Sequence, residues 1–239
     1  MKTLITVALS ACLAMPAMAA TFNVSPIRVG LSAQRKSMPL TVSNEGDESI
    51  VVQVHTMRWT QELGEDIYTR TDDILAAPPI FTIAAHGSQI VRIGLRRAVD
   101  PARELAYRVY LTEVPGSAKP GATGVQMSLR IGLPVFVTGP ALPTPKLHWS
   151  LAKDEAGTAK LRLRNEGNAH AQVSDIRLLS IADAKTLARQ AAPAYLLGGT
   201  TREWTITPES GMRIGTDRIK LQAYMDGGDV NIELAPEPQ

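Results

Sequence analysis

The sequence predicts an all-β chain folded as two similar sandwich domains. Three observations carry this. Apolar and polar residues alternate with a period of two along much of the chain, while the 3.6-residue period of amphipathic helices is scarce. Sixteen prolines and 18 glycines supply turn signals about every 8–12 residues, the spacing of short antiparallel strands. And one strand-turn-strand stretch is echoed 121 residues further on.

The first twenty residues stand apart from the fold. Met1-Lys2, the apolar run Leu4 to Met15, Pro16 and the small-residue pattern Ala17-Met18-Ala19 form a secretory signal over 1–19. Its removal takes Lys2 and Cys12 with it, leaving 220 of the 239 residues, a net charge of +1 and no thiol. Leu9-Ser10-Ala11-Cys12 is similar to a bacterial lipobox, and a lipidated Cys12 would tether the chain. The apolar run continues past it, which favours cleavage at Ala19. No later segment approaches the ~20 apolar residues of a membrane span. With one cysteine, neither an intramolecular disulfide nor a cysteine-based zinc site can form.

The strands follow in order. Leu40-Thr41-Val42 leads through Asn44-Glu45-Gly46-Asp47 to Ile50–Val54. Ile80–Ile83 leads through His86-Gly87 to Ile90–Ile93. Leu105–Val114 alternates Tyr107, Val109 and Leu111 with Arg108, Tyr110 and Thr112. Val125, Met127, Leu129, Ile131 and Leu133 alternate with Gln126, Ser128, Arg130 and Gly132, after a long loop rich in Pro and Gly. Only Asp183–Ala191 reads as a short helix.

The echo sets the domain count. Leu40 to Asp47 is matched by Leu161 to Asn168, each an alternating strand ending in Asn-Glu-Gly. Between the two halves, Thr138 to Pro145 holds three prolines and predicts a stiff, exposed connector. The expected organisation is domain one over 20–137, a linker over 138–146 and domain two over 147–235. Each domain is near the ~100 residues of an immunoglobulin-like sandwich. The tail from Ala235 to Gln239 is predicted disordered.

Chemistry is sparse. The composition is 44% hydrophobic and 20% charged, with a net charge of +2, too balanced for a nucleic-acid coat. His55, His86, His148 and His170 are isolated in sequence, and neither a phosphate-binding loop nor a nucleophile elbow occurs. Glu62, Glu65, Asp66, Asp72 and Asp73 read as a solvated hairpin tip. Gly121 to Gly124 reads as a turn. The expectation is a binding protein, not an enzyme, with no cofactor and no metal. The stretch Val125–Leu133 has two readings. It is a sandwich strand with its apolar side in its own core, or an edge strand that lends that side to another protein by strand addition.

The order and spacing of several pieces resemble the periplasmic pilus-assembly chaperones of the PapD-like family, over nearly the whole mature chain. These pieces are Val24-Ser-Pro-Ile-Arg28-Val, Asn44-Glu-Gly, Arg103-Glu104, Tyr107 to Pro115, Leu129 to Phe136 and Ala223-Tyr-Met-Asp226-Gly-Gly. The ending Leu133-Pro-Val-Phe-Val137 resembles the archaic, Csu-like or spore-coat-like branch. The resemblance implies two immunoglobulin-like domains with a cleft between them, a periplasmic location, pilus subunits and an outer-membrane usher as partners, and no nucleotide. It implies that Arg28 binds the C-terminal carboxylate of a subunit, a task suited to a guanidinium fork. The second basic anchor of the family falls on Pro134, which carries no charge; Arg108 is the replacement candidate and Arg130 the runner-up. Val125, Met127, Leu129, Ile131 and Leu133 become the side chains donated to a subunit's groove, together contributing on the order of 10 kcal/mol before ordering costs. Glu104 and Asp226 match the acidic members of an interdomain ion-pair network whose arginine falls near Thr138. The alternatives are an exported two-domain structural pilin or adhesin, and a secreted hydrolase on a β scaffold. The absence of nucleophile and metal motifs disfavours the hydrolase.

Overall fold

The computed structural model describes residues 22–116, 127–153, 159–215 and 217–238. The signal segment, Cys12 and Val125 lie outside them. Ten strands build the N-terminal half: β1 (Phe22–Ser25), β2 (Val29–Ser32), β3 (Ser37–Asn44), β4 (Ile50–Glu62), β5 (Glu65–Arg70), β6 (Ile74–Ala77), β7 (Ile80–Ile83), β8 (Ser88–Leu95), β9 (Leu105–Val114) and β10 (Arg130–Thr138). Eight more build the C-terminal half: β11 (Leu147–Lys153), β12 (Ala159–Asn165), β13 (Ala171–Ser180), β14 (Thr186–Leu196), β15 (Thr201–Ile206), β16 (Ile219–Met225), β17 (Val230–Leu234) and β18 (Pro236–Pro238). No helix occurs among the described residues.

Each half is a sandwich of two sheets. In the first, β1-β3-β8-β6 faces β2-β10-β9-β4-β5, with β7 on the free half of the β4 edge. In the second, β15-β12-β11-β18 faces β14-β13-β16-β17. Period-2 alternation drives both. On β9, Leu105, Tyr107, Val109 and Leu111 are buried in the first core while their neighbours face outward. On β12, Ala159, Leu161 and Leu163 do the same in the second.

The sequence echo has a structural meaning. Asn44 and Asn165 are the two fully buried polar residues among those described. Asn44 Nδ2 donates to the carbonyls of Glu48, Ile83 and Ala84, and its Oδ1 accepts from Gly46 N. Asn165 Nδ2 donates to the carbonyls of Ala169, Leu196 and Leu197, and its Oδ1 accepts from Gly167 N and Lys146 N. Each asparagine thus stitches the end of one strand to a loop of the facing sheet, satisfying carbonyls that burial would otherwise strand. Gly167 is required by a close approach: a Cβ there would lie 2.2 Å from Thr144 O in the connector.

Two expectations change. The segment expected as a helix over Asp183–Ala191 is instead a turn leading into β14, which pairs with β13 along its length. Its run of alanines has no strong β propensity, and pairing plus burial of Ala188, Ala194 and Leu196 decide its state. The tail expected to be disordered adds β18, parallel to Leu151–Lys153 of β11.

Candidate functional site

The site lies where the two sandwiches meet. β10 pairs with β9 along all but its last residue, Arg130 to Val137 opposite Thr112 to Leu105. On its other side β2 pairs with it in parallel, but only from Val135↔Val29 to Thr138↔Ser32. Residues 130–134 therefore carry an open edge. Pro134 sits at the end of that open lane, where a proline fits because its missing N–H has no ladder to break. Arg28 immediately precedes Val29, so it caps the lane at the point where β2 begins. Arg108 lies directly opposite Pro134 on β9.

Arg28 reaches across to the second sandwich. Its Nη1 donates to Asp226 Oδ2 at 3.2 Å, and its Nη2 donates to Gln172 Oε1 and, at 3.3 Å, to Tyr195 Oη. Partial burial alone would lower the Arg28 pKa; the hydrogen bond to Tyr195 and the Asp226 carboxylate outweigh it and raise the pKa above its ordinary value. Arg28 stays charged.

Arg108 is held by rings. Its guanidinium carbon is 4.2 Å from the Trp59 centroid and 5.5 Å from that of Tyr195, both as cation–π contacts. The Tyr68 hydroxyl is pushed up to about 12 by burial, against the opposing pull of the Arg108 charge. Arg108 Nε is buried without a hydrogen-bond partner, and no carboxylate among the described residues pairs with it. Arg130 lies elsewhere. It stacks on Tyr110 at 4.0 Å, four residues along the strand from Pro134, roughly 13 Å at strand rise.

The donated row is reduced. Leu133 is 4% exposed and belongs to the chain's own core, with Leu129 and Ile131 half-buried against the same core. Leu133 is therefore withdrawn from the side chains free to fill a groove: the core it already fills holds it. Met127 is 74% exposed. Val125 lies outside the described residues.

Sequence reasoning missed the histidine at the junction. Glu104 is 7% exposed and accepts from His170 N at 3.0 Å, and His170 Nδ1 stands 2.6 Å from the same Oε1. His170 Nε2 points toward Asp226 Oδ2 at 3.9 Å, and the ring stacks on Phe136 with centroids 3.5 Å apart. His170 thus stands between Glu104 and Asp226, while Thr138, near the expected arginine, donates its hydroxyl to Leu31 O. Around it Trp59, Phe136 and Leu197 form a small interdomain core with Tyr68, Ala106 and Tyr195. Gln61 completes the joint: its Nε2 donates to Tyr195 O, and its Oε1 accepts from Leu197 N and Thr200 Oγ1. Nothing in the local sequence around His170, Tyr195 or Gln61 marks them; their hydrogen-bond partners in the other sandwich lie 66 to 167 residues away.

The family-model comparison matches residues 21–143 to the pili and flagellar-assembly chaperone family, PapD N-terminal domain. The match covers more than half of the chain, and the chain belongs to that family. No curated protein sequence matches. Solved structures share the fold. One is a chain of the CsuC–CsuE chaperone–tip adhesion subunit pre-assembly complex from archaic chaperone-usher Csu pili of Acinetobacter baumannii, with 24% identity, coverage of 91% of this chain and 100% of that one, and a TM-score of 0.69. Another is from the Salmonella enterica SafA pilin in complex with the SafB chaperone, with 18% identity, 91% and 97% coverage, and a TM-score of 0.63. A third is the Pseudomonas aeruginosa CupB2 chaperone, with 15% identity, 90% and 100% coverage, and a TM-score of 0.59.

Proposed function

We propose that this chain is a periplasmic chaperone of the archaic branch, which holds a pilus subunit by strand addition and passes it to an outer-membrane usher. One observation carries the reading: the open lane beside residues 130–134 ends at Arg28, with Arg108, whose Nε is buried without a hydrogen-bond partner, opposite its last residue. A subunit strand entering that lane with its C-terminus toward Pro134 runs parallel to β10. Its terminal carboxylate then meets Arg28 and Arg108 together. Main-chain hydrogen bonds along the lane supply affinity, and the two arginines fix the register. Met127, Leu129 and Ile131 line the entry, and burying such side chains contributes about 1.5–3 kcal/mol each before ordering costs. The cycle involves no chemical step and no cofactor.

The test is co-expression with a pilus subunit, reading intact subunit in the periplasm. Arg28→Ala and Arg108→Ala each leave a folded chaperone and lower bound subunit strongly, since removing one partner from a partly desolvated carboxylate costs about 3 kcal/mol, or more than a hundredfold. Arg108→Lys restores only part, because the fork is lost. Normal subunit levels with Arg108→Ala and a loss with Arg130→Ala would move the anchor to the wrong end of the lane and refute the assignment.

A further inference from the structure

We propose that Tyr195 is the third member of the carboxylate site, its hydroxyl donating to the subunit's terminal carboxylate between Arg28 and Arg108. This rests on the carboxylate-anchoring reading above and extends it to the second sandwich.

Tyr195 sits at the end of β14, in the C-terminal half, yet its ring lies between the two arginines of the N-terminal half. The guanidinium carbons of Arg28 and Arg108 are 5.6 and 5.5 Å from its centroid. Its Oη accepts from Arg28 Nη2 at 3.3 Å. A phenol that accepts still has one O–H to give, and no acceptor for it occurs among the described residues. An anion drawn to both guanidinium groups arrives beside that O–H.

The ring is also held in place before any ligand comes. Gln61, from the β4–β5 hairpin of the first sandwich, bonds to Tyr195 O and to Leu197 N. Asn165 bonds to the carbonyls of Leu196 and Leu197. Trp59 meets the ring edge-on at 5.5 Å, and Phe136 packs at 5.7 Å. Such support on both sides is what preorganises a binding group. The consequence is that the anchor spans both sandwiches: the second contributes a donor, and the joint between them sets its aim.

The probe is an N-acetylated decapeptide of alternating apolar and polar residues, made once with a free C-terminal carboxylate and once as the C-terminal amide. Binding of each to the full mature chain is measured by calorimetry, and the readout is the ratio of their affinities. Wild type favours the acid by at least tenfold. Tyr195→Phe keeps the ring, its packing and its melting temperature; it cuts that ratio three- to tenfold and leaves amide binding unchanged. A wild-type ratio in Tyr195→Phe overturns the proposal, as does an equal loss for acid and amide, which would mark a packing role only. Equal binding of the two peptides to wild type, or none of either, overturns the anchoring reading itself, and the proposal with it.

Discussion

His170 and Glu104 show how one polar contact couples two domains. The Glu104 carboxylate can only accept, so the imidazole Nδ1 carries the proton between them, and the ring face is given over to Phe136. Replacing His170 by Ala leaves the nearly buried carboxylate with the backbone N–H of residue 170 and removes the stacked face. The expected cost is about 2 kcal/mol, concentrated at the joint. Calorimetry should then show one melting transition for wild type and two for His170→Ala, and an unsplit transition of the variant at the wild-type temperature contradicts the coupling. A second residue-scale prediction concerns acid. Burial alone would raise the Asp73 pKa; hydrogen bonds from Tyr107 Oη at 2.8 Å and Arg97 at 3.1 Å hold it below the usual carboxylate value. A depressed carboxylate contributes stability that is full above its unfolded pKa and is lost as pH falls through the folded one. Tyr107→Phe lets the Asp73 pKa drift back upward and removes about 1–2 kcal/mol. Acid unfolding of the N-terminal sandwich, followed by Trp59 fluorescence, should begin at higher pH than in wild type.

At the scale of elements, the two Asn-Glu-Gly turns do the same structural work but have different consequences. Each buried asparagine satisfies three carbonyls, so Asn44→Ala and Asn165→Ala should each cost about 3 kcal/mol in their own sandwich. Asn165 also holds the carbonyls that follow Tyr195 and precede His170, so Asn165→Ala should weaken subunit retention beyond its stability effect, while Asn44→Ala should not. Equal retention in both variants would break the link between that turn and the site. These turns were legible in sequence because the motif is local and repeated. The placement of Arg108 was legible too: it falls on the outward face of a strand whose inward face carries Leu105, Tyr107, Val109 and Leu111. β14 was not legible, because alanines carry little period and little propensity. Leu133 was legible as part of an alternating strand, but alternation alone cannot say which protein receives the apolar side. His170, Tyr195 and Gln61 were hidden for a different reason: their partners come from the other sandwich, and no spacing in a single strand encodes a contact between domains.

For the whole molecule, the open lane, the arginines at its end and the interdomain joint form one device. The joint of Gln61, His170 and Tyr195 fixes the angle between sandwiches, and the angle brings Gln172, Tyr195 and Asp226 onto Arg28. The edge at residues 130–134 would be an aggregation hazard if it were long and flat; here it spans five residues and is closed off by Pro134 and β2. In the proposed complex a subunit strand completes that edge and ends on the arginines. Amide hydrogen exchange on the chain, free and in complex with the pilus subunit it retains, tests this most directly. The account predicts new protection at the outward-facing amides within Arg130–Leu133, with β5 and β6 unchanged, and loss of that protection in Arg28→Ala. Amides of Arg130–Leu133 that exchange as fast in the complex as in the free chain would contradict it.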